Sequence, residues 1–493
     1  MIRTGKEQLE SIRDGRAVFI GSERVGDVTT HPAFRNAAQS VAAIYDLKAA
    51  AENRDTMTFV DEVGDRHSSY YLQPRSRDDL RKRTRTHQII ADSTYGMWGR
   101  SPDHVSSFVT AMAMRSDIFA RKGAQFGTNI ENFYRRLRAE DANATYAVVS
   151  PQAARDPQFY QRTSAKLPSF RVVDERDDGI VVSGMKMLAT GGVFSNYIFV
   201  GNIFPLAKDQ LKESVTCAVP VGAAGVSLWS RKPLERFAQN EFESPLTWRF
   251  DETDSMVICE NVKIPWEFVF TKDDADQSRA IYIETPAHSF GNHQSNVRYQ
   301  SKLKLIVGLA SSIAKASGVD AIPAVRENLG RLASLEALLA GNIAGQIEAC
   351  EDWGNGFTGY NRRMMYGALN WCTESYSPIV DSLRDLCGGG VFQMPADVSV
   401  LGNPELRGIF ESYFLTPQMS AKDRMKLFKL AWDVTGSEFA GRHQQYEKFY
   451  AGASFVLKNH CFREAPWEEF HGAVDRLLAS YDVPAEFQLT AAE

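Results

Sequence analysis

The hydrophobic period changes twice along this chain, and that constrains its fold more than any other feature. Phe34 to Tyr45 spaces Ala38, Val41, Ala42 and Tyr45 three and four residues apart, as on one face of a helix. Between about residues 146 and 275 that spacing gives way to short β-branched and aromatic runs broken by Gly, Pro and charge, such as YIFVGNIF, VTCAVPV, VSLWS and SMVICENVKIPWEFVF. RVVDERDDGIVVSG (Arg171 to Gly184) reads as a hairpin around Asp178-Gly179. From about residue 276 helical spacing returns, with Leu332, Leu335, Leu339, Ile343 and Ile347 as a bundle stripe and similar patterns over Ser301 to Ile313 and Met425 to Phe439. The order predicts an α+β protein: an N-terminal helical domain over 1–145, a middle β-barrel or sandwich over 146–275 and a C-terminal helical bundle over 276–493. At 493 residues, two or three such units sharing one interior are expected.

Three local features sharpen the pattern. Thr128 with Glu131 has the form of a capping box before Phe133 and Leu137. Gly388-Gly389-Gly390 interrupts the second helical region and implies a close backbone approach. The basic run RKRTRTH (Arg81 to His87) reads as a solvated helix face.

Composition narrows the class of partner. A net charge of −5 gives no reason to expect nucleic acid or an anionic membrane. Six cysteines lie far apart without a CxxC pair, which argues against a metal cradle and for reduced thiols in a reducing compartment. MIRTGKEQLESIRDGR lacks an apolar signal core and nowhere do 18 apolar residues run together, so a cytoplasmic location without membrane contact is expected. The sequence contains no GxGxxG after a strand, no GxxxxGK, no HExxH and no GxSxG. Gly21 and Gly26 have phosphate-loop spacing, but Asp27 stands where such a loop needs Lys. A flavin held outside a Rossmann fold remains compatible with this helix–strand–helix order.

YGMWGRSPDH (Tyr95 to His104) carries the most chemistry. Ser101 can cap a helix beginning at Pro102, which leaves Arg100 just outside a helix N-terminus, a corner that favours an anion such as a phenolate or carboxylate. His104 falls on the first turn, where the helix dipole favours its neutral form and hence a base role. Taken alone, an arginine here is more often a structural partner to a nearby acid, and a lone histidine is more often structural.

TYAVVSPQAAR (Thr145 to Arg155), MKMLATGGVFSNY (Met185 to Tyr197), FGNHQSNVRYQSKL (Phe290 to Leu303) and GSEFAGRHQQYEKFYAG (Gly436 to Gly452) follow in that order. Together with RTGKEQLESIRDGRAVFIGSERVGDVTTHPAFRNAA (Arg3 to Ala38) and FDETDSMVICENVKIPWEFVF (Phe250 to Phe270), they resemble the 4-hydroxyphenylacetate 3-monooxygenase family, including its chlorophenol and nitrophenol branches. The resemblance covers nearly the whole chain and implies an acyl-CoA-dehydrogenase-like fold whose last domain is a four-helix bundle, assembled as a homotetramer. It further implies an oxygenase that receives reduced FAD from a separate NAD(P)H-dependent flavin reductase and hydroxylates a phenol-like ring with O2 through a flavin hydroperoxide.

Residue by residue, the resemblance assigns Arg100 to grip the substrate, with His104 and Tyr146 beside it where 4-hydroxyphenylacetate enzymes often carry Tyr and His. It assigns His293 as the base of the halophenol branch. It places flavin against Tyr146, Val148, Gln152, Arg155 and Thr190, with Gly436, Ser437, Phe439 and, more loosely, Arg442 from the C-terminal loop. No metal is implied. Ionising a phenol of pKa about 10 at neutrality requires about 4 kcal/mol, which one desolvated Arg with a hydrogen-bonding His can supply. An acyl-CoA-type FAD dehydrogenase and a non-catalytic scaffold are the alternatives. The iron–sulfur dehydratase branch of the fold lacks its thiolates here, since Arg100, His104 and Gln300 stand at or near the cysteine positions.

Overall fold

Each change of period coincides with a change of architecture in the computed structural model, which describes residues 2–163 and 165–484. The N-terminal region is built on helices Arg35–Ala49, Arg77–Ser93, Pro102–Met114 and Ala124–Glu140. All of Pro102–Met114 is buried, so this helix forms the inner wall between the other two regions. The middle region holds two sheets, one of six strands and one of four, joined at a corner by an isolated bridge between Val149 and Met187. The six-stranded sheet also recruits Ala17–Ile20 and Glu23–Val25 from the N-terminal region, the former parallel to Val226–Ser230. Strands this short span too few residues to show a period.

The hairpin forms between Arg171–Arg176 and Gly179–Thr190, but Arg176 pairs with Gly179, so Asp177-Asp178 makes the turn. Gly179 serves the other neighbour: a Cβ there would lie 2.2 Å from the Ile264 carbonyl oxygen. In the C-terminal region Ala287–Ala316, Pro323–Glu348, Arg362–Cys387 and the pair Ala421–Thr435 and Glu438–Phe449 make the bundle. Leu332, Leu339, Ile343 and Ile347 are buried in it as their spacing predicts, with Leu335 half-buried. The Met425–Phe439 pattern is two helices broken at Gly436. Gly390 packs against Phe428, whose ring a Cβ would meet at 2.5 Å.

Two expectations need correction. The helix carrying Thr128 begins earlier, at Ala124, and the Thr128 hydroxyl donates back to the Ala124 carbonyl, while Glu131 accepts from Ser116. The Arg81 to His87 run is solvated on one side only. Arg83, Thr86 and His87 are buried, and Arg83 donates to the Leu72 carbonyl at 2.7 Å and Ser107 Oγ at 3.0 Å. Backbone carbonyls of residues 70 and 72 take the Nη1 donors of that cation, partners no charge pattern reveals. Among the described residues, no helix is long and apolar enough to cross a membrane.

Candidate active site

The three regions enclose a cavity of about 820 Å³. Its walls come from Pro102–Met114 (Val105, Phe108, Met112), the strands (Tyr146, Thr190, Phe199, Asp254), the start of Ala287–Ala316 (His288, Asn292) and the last helices (Arg442, Tyr446, Tyr450, His460). Most of that surface is apolar, and the polar groups converge in a few places, as binding sites for aromatic ligands require.

A backbone irregularity sets the barrel wall. Strand Gly179–Thr190 pairs Lys186 with Val257 and Ala189 with Ser255, so Met187 and Leu188 stand opposite Met256 alone. Leu188 takes φ +64, the left-handed conformation that lets this bulge turn the strand. Thr190 emerges beyond it at the cavity wall and donates its hydroxyl to Asp254 Oδ1 at 2.7 Å. Burial alone would raise the Asp254 pKa, but Arg442 and Arg231 outweigh it and hold the carboxylate ionised well below its usual range. Arg442 donates to Asp254 at 2.9 and 3.0 Å, and Arg231 Nε at 3.0 Å. The Thr190 proton is therefore committed, and its oxygen offers the cavity only lone pairs. Arg442 Nη1 is buried without a partner beside this cluster.

Arg100 presents the opposite case. The backbone N–H groups of Gly99 and Arg100 are taken by Glu252, so the helix corner itself holds a protein carboxylate. The guanidinium has no carboxylate partner among the described residues: it donates to the Tyr450 carbonyl at 2.8 Å and to His104 Nε2 at 3.0 Å. It lies 4.9 Å from the Tyr146 ring centre and lines the cavity at 7% exposure. Two of its five N–H bonds are spent on protein, leaving donors for a ligand.

Behind it a chain of hydrogen bonds runs into the core. His104 Nδ1 meets Gln294 Oε1 at 2.9 Å, and Gln294 Nε2 donates to Ser101 Oγ at 3.1 Å and Asp103 Oδ1 at 3.4 Å. His87 Nδ1 lies 2.6 Å from Asp103 Oδ2. Ser101 starts the helix as expected, but its side chain serves Asp103 instead of capping. Burial first, then the Arg100 charge, hold His104 neutral, its pKa well below the ordinary histidine value.

The structure brings together Arg100, Tyr146, Val148, Thr190 and Arg442 in one cavity wall. His104 stands behind Arg100, with its ring 5.3 Å from Phe108 and 5.7 Å from Tyr146. His293 does not reach the cavity. It is fully buried, stacked 3.6 Å from Tyr360, with Nδ1 on Gln346 at 2.7 Å and Nε2 on Thr84 at 2.8 Å. On that helix His288 and Asn292 are four residues apart and share the cavity face, and the next residue, His293, is turned about 100° away. Gln152 is exposed, and Arg155 lines a smaller adjoining cavity of about 300 Å³ that shares Val148 and Val149 with the first. Gly436, Ser437 and Phe439 are not in the cavity wall. Gly436 ends one helix, Ser437 caps the next through Ala440 N, and Phe439 packs on His443 at 4.3 Å. They lead into the helix whose later turns, Arg442, Gln445, Tyr446 and Phe449, face the cavity.

His288 and His460 were missed. Their rings lie 5.6 Å apart in the far wall with Arg463 and Arg279, and His288 Nδ1 meets the Tyr366 hydroxyl at 3.0 Å. Burial, Arg463 and Arg279 push His288 down to about 4, so it is neutral at physiological pH. The four-residue spacing of His288 and Asn292 was a readable signal. Asp61, Asp65 and His67 form a separate group with metal-like spacing, but Asp61 is engaged by Arg138 and His67.

With this geometry in view, the similarities are informative. Sequence models of the 4-hydroxyphenylacetate 3-hydroxylase N-terminal and C-terminal regions match residues 4–271 and 278–479. The chain is 30% identical to the pyoverdin chromophore biosynthetic protein PvcC of Pseudomonas aeruginosa, over 98% of this chain and 96% of that protein. It is 31% identical to the 4-hydroxyphenylacetate 3-monooxygenase oxygenase component of Thermus thermophilus, covering 92% of each. A crystal structure of such an oxygenase component, complexed with FAD and 4-hydroxyphenylacetate, superposes with a TM-score of 0.90 at 28% identity over 97% of this chain and 98% of that one. By both sequence models and by extent of likeness, this chain belongs to the 4-hydroxyphenylacetate 3-hydroxylase family.

Proposed function

We propose that the protein is the oxygenase component of a two-component monooxygenase, which takes reduced FAD from a separate NAD(P)H-dependent flavin reductase and hydroxylates a phenol-like ring ortho or para to its hydroxyl. The observation that carries this reading is Arg100, a buried guanidinium in a cavity wall that bonds no carboxylate among the described residues. A buried cation left unpaired is costly, and a phenolate supplies the missing charge.

The barrel wall suits the flavin. FAD fits a large apolar cavity with Thr190, Val148, Trp229 and the Arg442–Asp254 pair along one side. When bound and reduced, it supplies the two electrons that activate O2. Thr190, restricted to accepting, favours the reduced ring system, which carries more N–H donors than the oxidised one.

Arg100 binds and orients the phenol oxygen, with Tyr146 beneath the guanidinium and Phe108 walling the ring. Ionised, that oxygen enriches the ortho and para carbons for electrophilic attack. His288, neutral and in the far wall with its ring 6.2 Å from that of Phe108, is our candidate to accept the phenolic proton, in place of His293, which is stacked on Tyr360 and does not line the cavity. The apolar walls exclude water from the reacting oxygen.

A homotetramer in the cytoplasm completes the proposal. Helix Trp467–Leu478 has no buried residue and exposes Trp467, Phe470, Val474, Leu477 and Leu478, apolar surface suited to a further copy. The test is a panel of phenols with a generic flavin reductase, read by mass spectrometry, with light scattering of the same sample and titration with reduced and oxidised FAD. Hydroxylated product, tighter binding of reduced FAD and a nearly colourless purified tetramer are expected. A tightly bound yellow flavin with no phenol product overturns the reading.

A further inference from the structure

The residues behind Arg100 have a property that the grip itself does not explain. Every member of the chain His87–Asp103–Gln294–His104–Arg100 has its hydrogen-bonding direction fixed by the next. Asp103 only accepts, and it receives His87 Nδ1 at 2.6 Å and the Ser101 hydroxyl. The edge of Gln294 facing Asp103 and Ser101 must therefore be its NH2, at 3.4 and 3.1 Å, which turns its carbonyl oxygen toward His104. That oxygen, 2.9 Å from Nδ1, accepts the only proton of a neutral imidazole. Nε2 is then a bare lone pair, and it receives Arg100 Nη1 at 3.0 Å. Reversing any one amide or tautomer would set two donors or two lone pairs face to face.

We propose that Gln294, oriented by Asp103, is a positioning residue for substrate binding: it fixes the tautomer of His104 that accepts from Arg100, and so aims the remaining guanidinium donors into the cavity. The inference rests on the reading of Arg100 as the phenolate grip. Its chemical content is distinct. A second carboxylate beside Arg100 would neutralise the cation and compete with the phenolate, and an imidazolium would repel it. A neutral acceptor orients the guanidinium without cancelling its charge. Among the described residues the groups facing His104 are Arg100, Gln294, Phe108 and Tyr146, with Arg298 and His87 farther off, and neither carboxylate nor hydroxyl of these residues bonds its ring directly. Gln294 itself is 1% exposed and reaches substrate only through His104 and Arg100.

The experiment compares the full-length protein with Gln294→Met and Gln294→Glu, supplied with reduced FAD and a phenol that the parent hydroxylates. It reads the ratio of hydroxylated product to hydrogen peroxide between about pH 6 and 9. The parent ratio is expected to be flat with pH. Gln294→Met, similar in volume but unable to accept from Nδ1, should lower it about tenfold throughout, the scale of one buried hydrogen bond. Gln294→Glu restores an acceptor and should exceed Gln294→Met at the upper end. It should lose ground as pH falls, because a carboxylate on Nδ1 favours the imidazolium. Arg100→Ala is run alongside. If it loses product while Gln294→Met matches the parent, or while Gln294→Glu never exceeds Gln294→Met, the positioning role is overturned and the grip stands. If Arg100→Ala keeps full coupling, the grip itself falls. Should Gln294→Met fail to fold, the pH profile of Gln294→Glu decides alone, a slope sustaining the proposal and a profile as flat as the parent's overturning it.

Discussion

Two buried arginines sit on the same pair of tyrosines and do opposite things. Arg298 lies 5.5 and 5.2 Å from the rings of Tyr446 and Tyr450, and Arg100 lies 5.6 and 5.9 Å from the same two rings. Arg298 is closed off by Glu447, which it grips with two bonds of 2.6 and 2.7 Å, while Lys302 also donates to that carboxylate. Burial would raise the Glu447 pKa, but Arg298 and Lys302 bring it down to about 2. Among the described residues the Arg100 guanidinium bonds no such acid, only a carbonyl and a neutral imidazole. A cation whose charge is cancelled inside the protein is part of the scaffold. One that is desolvated and left without an ion pair has donors to spare for a ligand, the role proposed for Arg100.

The largest effect that tests this contrast is on the scaffold side. Glu447→Gln leaves Arg298 and Lys302 buried without a counter-charge and should cost about 3–5 kcal/mol in denaturant unfolding. The parent's share of stability from Glu447 should hold above the ordinary Glu value and be lost as pH falls toward its folded value of about 2. A Glu447→Gln protein as stable as the parent breaks the distinction.

Arg100→Ala should behave in the reverse sense. Its stability should fall less than that of Glu447→Gln, because hydrogen bonds to His104 and the Tyr450 carbonyl are lost but no ion pair is broken. Product should nevertheless fall about thirtyfold to a thousandfold, with oxygen released as hydrogen peroxide, for loss of a charge-assisted bond worth about 2–4 kcal/mol. Arg100→Lys should recover only part, since a point ammonium cannot bond His104, Tyr450 and substrate together. Unchanged coupling in Arg100→Ala, measured as product per O2 consumed, removes the ligand-waiting role.

The smallest effect sharpens the assignment of the base. Because burial, Arg463 and Arg279 press His288 down to about 4, a neutral base there puts the acid limb of the rate profile near that pH. Arg463→Gln removes one of the opposing charges, so the limb should move upward toward the ordinary histidine range. His293→Ala should lower stability by opening the stack on Tyr360, and raising pH should not rescue its rate. A limb that ignores Arg463 but follows His293 would return the base to His293.

How far the sequence could be read differs between fold and site. The bundle stripe from Leu332 to Ile347, the helix starting at Pro102 and the strand region were legible because period and capping are local properties of a chain. Arg100, Tyr146, Val148, Thr190 and Arg442 were named from motifs, and the fold sets all of them around one cavity. The motifs could not tell which neighbour of a motif residue points inward. His288 faces the cavity and His293 does not because a helix turns about 100° per residue, and only packing fixes its rotation. Arg83 looked solvated because its carbonyl partners come from residues 70 and 72, outside its own helix.

The sequence by itself determined the order of helical and strand regions, the family and the presence of an arginine at a helix entrance. Tertiary structure alone decided that Arg298 meets Glu447, 149 residues away, while the Arg100 guanidinium bonds no carboxylate among the described residues. Charge cancellation depends on which side chains share a few ångströms of low-dielectric interior, and separation along the chain carries no information about that distance.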